Sequence, residues 1–273
     1  MLAFSDPPAY NFMVKVYIEI EDLSSFTDFA APAYSKIEQT AFKMKKRYFQ
    51  AHPDYTILRT KNGRPYFAHT DALFFSGSHT KNDCITVMAE KNIAVDIEQC
   101  RRKQFQAIAE YAFTEAEQKW LAQSNAIEKD FFLLWTIKEA DIKLHGASIF
   151  SVKNTLHINP LEETVVPGSS VKGAAQREVP IESAAQCGAL IGNGNTTRCN
   201  VSVKTTVPQV KDYEHSIVSF YITKTAPEKT VHFVASIIIA GHHKNIELKW
   251  HHRTQPHTLI TAERFFAYPA QKA

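Results

Sequence analysis

The sequence predicts a mixed α/β (α+β) fold, and three observations carry that expectation. Short runs rich in β-branched residues recur at 13–20 (MVKVYIEI), 84–89, 93–97, 217–223, 231–240 and 246–250, and each has the length and composition of a strand. Between them stand two segments of helix length, 32–49 and 131–146, with apolar residues three and four apart. The chain has 273 residues, 44% hydrophobic and 22% charged, which describes a folded protein with length enough for one large domain or two moderate ones.

Taken in order, 13–20 alternates apolar and charged residues and is the first strand. In the helix at 32–49, Ile37, Ala41, Met44 and Tyr48 share one face. Its other face carries Lys43, Lys45, Lys46 and Arg47, which reads as a solvated surface or, more sharply, as a phosphate contact. Short elements follow: 55–58, the turn Asn62-Gly63-Arg64-Pro65, and a strand at 72–75 ending at Ser76-Gly77-Ser78-His79-Thr80. Runs 84–89 and 93–97, joined by Glu90-Lys91-Asn92, form an expected hairpin. Thr114 with Glu117 three residues on is a capping-box signature, with Trp120 and Leu121 as apolar contacts. A strand is expected at 151–158. The segment 160–210 is poor in aromatics and rich in Gly, Ser, Ala, Asn and Thr, and reads as an insertion or mobile excursion.

The segment 131–146 (FFLLWTIKEADIKLHG) organises the rest. At about 100° per residue, Phe131, Leu134, Trp135 and Ile142 fall on one face and Leu133, Ile137, Ala140 and Leu144 on the other. A helix apolar on two faces is buried. Between the faces runs a stripe of Thr136, Glu139 and Lys143, the last two being i,i+4 neighbours. Two readings stand: an ordinary ion pair at the core margin, or groups that a metal, partner charge or ligand must satisfy.

The formal charge of +3 is too small for a dedicated nucleic-acid binder and suits acidic small molecules or an acidic partner surface. Four dispersed cysteines, with no CxxC, make reduced cytoplasmic thiols the default. No run approaches membrane-span length, and the N-terminus has no basic start followed by an apolar core. The histidines His242-His243, His251-His252 and His257 lack Cys or acidic residues at ligand spacing and are set aside as a metal site.

Three pieces then combine. Asp96 and Glu98, two apart on a strand, point to the same side. Glu139 and Lys143 lie on the buried helix, and Ser78-His79 follow another strand. Carboxylates around a small site suit Mg²⁺, which takes oxygen ligands and completes its shell from a substrate phosphate. Nearby cations would bind the rest of a phosphorylated ligand.

These motifs resemble a 4'-phosphopantetheinyl transferase of the surfactin-synthetase-activating type. The residues carrying the resemblance are Gly63-Arg64-Pro65, FSGSHT at 75–80, IAVDIE at 93–98, FTEAE at 113–117 and WTIKEADIK at 135–143, five motifs in register over one short span. The resemblance implies a pseudo-dimeric fold of two similar halves, 11–92 and 93–273, the second with an insertion at about 160–210. It places the active site in the cleft between them, with coenzyme A as substrate, a carrier-protein serine as acceptor and 3',5'-ADP as product. It implies Asp96, Glu98 and Glu139 as Mg²⁺ ligands, and Gly63, Arg64, Pro65, Ser78, His79, Lys138 and Lys143 as coenzyme A contacts. Glu139 and Lys143 are the implied catalytic groups. Apo acyl or peptidyl carrier proteins are the implied partners, and a monomer is expected, with neither nucleic acid nor membrane involved.

The chain departs from the family's pattern at Ala94, where the family has Gly, at Ser76, where it has Asn, and at Arg64, where Lys is usual. The family's arginine-bearing helix is matched only loosely by 36–47. A metal-dependent phosphatase or nuclease could use the same carboxylates and lysine, and a carrier-binding module without catalysis is the non-enzymatic alternative.

Overall fold

The chain runs β1 (Val14–Asp22), α1 (Ala33–Phe49), β2 (Ile57–Arg59), β3 (Pro65–Phe67), β4 (Phe74–His79), β5 (Asp83–Ala89), β6 (Ile93–Gln99), α2 (Phe105–Ala112), α3 (Glu115–Ala122) and α4 (Ile127–His145), continuing through β7 (Ile158–Asn159), β8 (Gly188–Leu190), β9 (Gln209–Val210), β10 (Ser216–Ala226), β11 (Lys229–Ile239), β12 (Ile246–Arg253) and β13 (Leu259–Tyr268). The computed structural model describes residues 13–23, 33–49, 56–68, 73–101, 105–147, 158–159, 188–190, 209–210, 213–243, 245–254 and 257–268.

Two sheets form the centre, one ordered β12-β1-β5-β4 and one ordered β6-β11-β10-β13-β8. Successive side chains on a strand face opposite ways, and this sorts the apolar residues into three layers. Val16, Ile18, Ile85 and Val87 of the first sheet meet Val95, Val218, Phe220 and Ile237 of the second in one core between the sheets. On the outer face of the first sheet, Tyr17, Phe75 and Met88 pack against Ile37, Ala41 and Met44 of α1. On the outer face of the second, Ala94, Val234 and Ile238 pack against Phe132, Ile137 and Ala140 of α4, with Ala109 of α2, Leu121 of α3 and Phe113 between those two helices joining them. The order of layers is therefore α1, sheet, sheet, α4.

Helix α4 starts earlier than the apolar run suggests, at Ile127, and is buried on both apolar faces as expected. Fully burying a Leu, Ile or Phe contributes about 1.5–3 kcal/mol each, so this helix anchors the second sheet. It stops where Gly146 takes a left-handed conformation (φ 61°) and its N–H turns back to the Ile142 and Lys143 carbonyls. The capping box of α3 forms as its sequence indicates, with Thr114 N–H donating to Glu117 at 2.7 Å and Glu117 N–H to Thr114 Oγ1 at 3.3 Å.

Several sequence expectations are corrected here. Strands β5 and β6 are not a hairpin: β5 pairs with β1 and β4, and β6 pairs with β11. The turn between them carries the chain from one sheet to the other. Ser78 and His79 lie within β4 rather than after it. Strand β12 returns to the first sheet and pairs in parallel with β1, so that sheet joins strands from 14–89 with one from 246–253, while the second sheet is built from strands within 93–268. Helix α2 and strands β3 and β13 had no clear sequence signal. The expected strand at 151–158 and insertion at 160–210 lie outside the described residues except at 158–159, 188–190 and 209–210, where β8 extends the edge at β13. Among the described residues, no helix is long and apolar enough to cross a membrane.

Candidate functional site

Strand β6 is an edge of the second sheet, and its outer side would leave backbone groups without strand partners. Side chains cover that edge. Ser76 Oγ accepts from Val95 N–H at 3.2 Å, Lys143 Nζ donates to Val95 O at 3.2 Å, and Arg64 donates to Ile93 O at 2.8 Å. Elements distant in sequence meet here for this reason, and Ser76 supplies a hydrogen bond at the position where the resembling family has Asn.

Asp96 sits at the centre of this junction and is 5% exposed. Its Oδ1 accepts from Ser78 Oγ at 2.8 Å and pairs with Lys143 Nζ at 2.7 Å. Its Oδ2 is buried with no hydrogen-bond partner among the described residues. An orphaned carboxylate oxygen is costly unless something else meets it. Glu139 stands near enough for the Asp96 charge to act on it: burial first, then Asp96 and also Glu98, push the Glu139 carboxyl up to about 7, opposed in part by Lys143. Lys143 thus reaches across to Asp96 instead of pairing within its own helix with Glu139, as i,i+4 spacing suggests.

A cavity of about 380 Å³ adjoins the junction. Gly63, Arg64, Pro65, Ser78, His79 and Lys143 are among the residues lining it. The β2–β3 connection forms one wall and is tied to the end of α4. Asn62 donates to Gly146 O, and Arg64 donates to Leu144 O at 2.8 Å and to Asn92 Oδ1 at 2.7 Å. Gly63 turns this connection with φ 82°. On another wall Gly77 lets β4 approach α1 closely, because a Cβ there would overlap Ile37, whose Cγ1 and Cδ1 would stand at 2.9 Å.

The expected coenzyme A contacts divide. Ser78, His79 and Lys143 line the cavity; His79 is exposed, and its Nδ1 lies 3.2 Å from Thr80 O. Arg64 lines it too, but three of its five N–H donors are spent on protein groups, so it clamps β6 and the end of α4 as well as facing a ligand space. Burial pulls its guanidinium below the ordinary value, and no carboxylate pairs with it among the described residues. Lys138 is not among the residues lining the cavity. Its side chain is 0% exposed and lies 3.2 Å from the equally buried Glu117, which puts it in the core. The basic face of α1 is likewise not a plain solvated surface: Arg47 pairs with Glu19 at 2.5 Å and the buried Lys45 lies over the Phe67 ring.

Asp96, Glu98 and Glu139 offer oxygen donors alone, which is the chemistry of Mg²⁺. Among the described residues no three acidic, Cys or His side chains form a ready-made metal cage. Mg²⁺ keeps several waters and takes ligands from a substrate phosphate, so one orphaned aspartate oxygen with two adjacent glutamates fits it without such a cage. Sequence reasoning placed Thr136 on the stripe of Glu139 and Lys143 and Ser76 and Asn62 in their motifs, but it did not anticipate Ser236, nor the partners far away in the chain through which these residues act.

Comparison with known proteins adds a family likeness to the geometry. Residues 92–185 match the family model described as the 4'-phosphopantetheinyl transferase superfamily. The chain is 32% identical over 111 residues to the 4'-phosphopantetheinyl transferase AcpT of Escherichia coli strain K12, a span covering 37% of this chain and 55% of that protein. It is 33% identical over 111 residues to the 4'-phosphopantetheinyl transferase gsp of Aneurinibacillus migulanus, covering 39% of this chain and 46% of that one. The chain thus spans about half the length of these curated relatives. The similarity to the 4'-phosphopantetheinyl transferase superfamily therefore rests on residues 92–185, which include β6 and α4.

Proposed function

We propose that this chain transfers the 4'-phosphopantetheine group of coenzyme A to a serine of apo acyl or peptidyl carrier proteins, releasing 3',5'-ADP, with Mg²⁺ as cofactor. The observation that carries the reading is the convergence of Asp96, Glu139, Lys143 and Ser78 beside a cavity lined by Arg64 and His79. Coenzyme A would lie in that cavity, between two similar halves of a pseudo-dimeric fold, and a single chain would suffice.

Asp96, Glu98 and Glu139 would hold Mg²⁺, which when bound draws charge from the pyrophosphate. Arg64 and His79 bind and orient the phosphates. The carrier serine oxygen forms a bond to the β-phosphorus while the bond from that phosphorus to the bridging oxygen breaks. Glu139, on the stripe beside Lys143, would receive the serine proton. Lys143 exchanges its contact with Asp96 for the negative charge on the departing 3',5'-ADP. Positioning and electrostatics supply the catalysis, and no covalent intermediate on this chain is needed.

The test is intact-mass spectrometry of apo carrier proteins incubated with the protein, coenzyme A and Mg²⁺. A gain of one phosphopantetheine, abolished by chelator and by Asp96→Ala, is expected. Release of 3',5'-ADP without carrier would indicate a hydrolase instead, and carrier binding without transfer would indicate a non-catalytic module.

A further inference from the structure

Helix α4 touches the second sheet through an unusual feature for a core: three hydroxyls, each 0% exposed, in a row. Ser219 Oγ lies 2.8 Å from Ser236 Oγ, Ser236 Oγ lies 2.7 Å from Thr136 Oγ1, and Thr136 Oγ1 donates to Leu133 O at 3.3 Å. The last bond uses the Thr136 proton, which assigns the others: Ser219 donates to Ser236, and Ser236 donates to Thr136. Every hydroxyl then gives its proton once, so the chain costs no unsatisfied donor.

Its placement relates it to the site. Ser219 faces Ser236, and Ser236 faces Asp96, in the registers of β10–β11 and β11–β6. Directly opposed residues share one face of a sheet with Cβ atoms about 5 Å apart. The sheet therefore presents Ser219, Ser236 and Asp96 side by side to α4. The helix answers with Thr136, Glu139 and Lys143 on one stripe, with Thr136 on Ser236 and Lys143 on Asp96. Glu139 is one turn from each anchor. An oxygen–oxygen contact of 2.7 Å also holds the helix nearer the sheet than carbon contacts of about 3.5–4.0 Å would allow.

We infer that Thr136, through Ser236 and Ser219, is a positioning residue that sets the rotation and depth of α4 and so aims Glu139 at Asp96. This rests on the transferase reading for its consequence in catalysis, though not for its geometry. The Lys143–Asp96 link is ionic and must yield when both groups engage ligands. The hydroxyl chain lies outside the cavity wall and keeps its bonds throughout, which makes it the fixed reference for the stripe.

The experiment compares wild type, Thr136→Val and Thr136→Ser, each shown folded by circular dichroism. Transfer kinetics are measured at varied Mg²⁺, and Mn²⁺ binding in the presence of coenzyme A is read from the electron paramagnetic resonance signal of free Mn²⁺. Thr136→Val should lower kcat at least tenfold, raise the half-saturating Mg²⁺ and the Mn²⁺ Kd at least fivefold, and leave the carrier KM within twofold. Thr136→Ser should restore all three to within threefold of wild type. If Thr136→Val does not fold, Ser236→Ala removes the same contact with the helix sequence untouched. Metal affinity within twofold of wild type in these variants, or a Thr136→Ser protein as impaired as Thr136→Val, overturns the inference. A wild type that binds Mn²⁺ but transfers nothing would sink the transferase reading while a Kd shift in Thr136→Val still supports the positioning. A wild type that neither binds Mn²⁺ nor transfers overturns both.

Discussion

Replacing Lys138 with Met separates a structural lysine from a substrate-binding one. Lys138 and Glu117 are both 0% exposed and 3.2 Å apart, and the same Glu117 oxygen accepts the Thr114 N–H that caps α3. Lys138→Met preserves much of the volume but leaves a carboxylate buried without its ammonium, a change that costs about 3–5 kcal/mol. That is a large fraction of the roughly 5–15 kcal/mol that holds a domain folded. At an m-value near 3 kcal/mol/M in urea, the unfolding midpoint followed by circular dichroism should fall by about 1–1.7 M. Glu117→Gln should also destabilise, by removing the carboxylate charge opposite the buried Lys138. The double variant Lys138→Met/Glu117→Gln removes both charges, keeps an acceptor for Thr114, and should unfold within about 1–2 kcal/mol of wild type, since apolar replacement of a buried pair is often neutral. Under the fold-based role, folded Lys138→Met keeps its KM for coenzyme A. A midpoint unchanged to within about 0.3 M, together with a tenfold rise in that KM, would refute the reasoning and return Lys138 to the substrate phosphates.

Two further outcomes follow from the site. The Glu139 carboxyl is raised in the fold to about 7 from an ordinary 4.5. The folded chain therefore binds more protons than the unfolded one between those values, and stability without metal should fall as pH rises from about 4.5 to 7 and then level off. Allowing for the partial hydration of the side chain, the loss is on the order of 1–2 kcal/mol; urea midpoints of wild type and Glu139→Gln in chelator should diverge over that range, and parallel pH profiles would contradict the assignment. Gly77→Ala should cost about 1–3 kcal/mol by driving a methyl into Ile37, and Gly77→Ala/Ile37→Ala should be less destabilised than the two single costs added together; strict additivity would mean the two residues do not touch.

The residues of the candidate site were legible in the linear sequence because their chemistry is local: Asp96 and Glu98 alternate on one strand, Glu139 and Lys143 share one helical stripe, and the five motifs keep their spacing. The same locality made β1, α1, β10, β11 and the capping box of α3 readable, since strand alternation, helical period and cap chemistry depend on near neighbours. What the pattern could not contain was partner choice. Lys143 has Glu139 four residues away but reaches Asp96, because the packing of α4 on β6 brings that carboxylate to 2.7 Å. Lys138, one residue before Glu139, turns into the core toward Glu117, since about 100° per residue puts it on a different side of the helix. Runs 84–89 and 93–97 look like a hairpin by composition alone, and only the burial of their apolar faces in one core between two sheets explains why the chain changes sheets at the turn. Composition and periodicity thus determined the elements and the ionisable groups. Which groups meet was decided by long-range packing, because a buried charge or hydroxyl settles on whichever partner the folded layers bring within hydrogen-bonding distance.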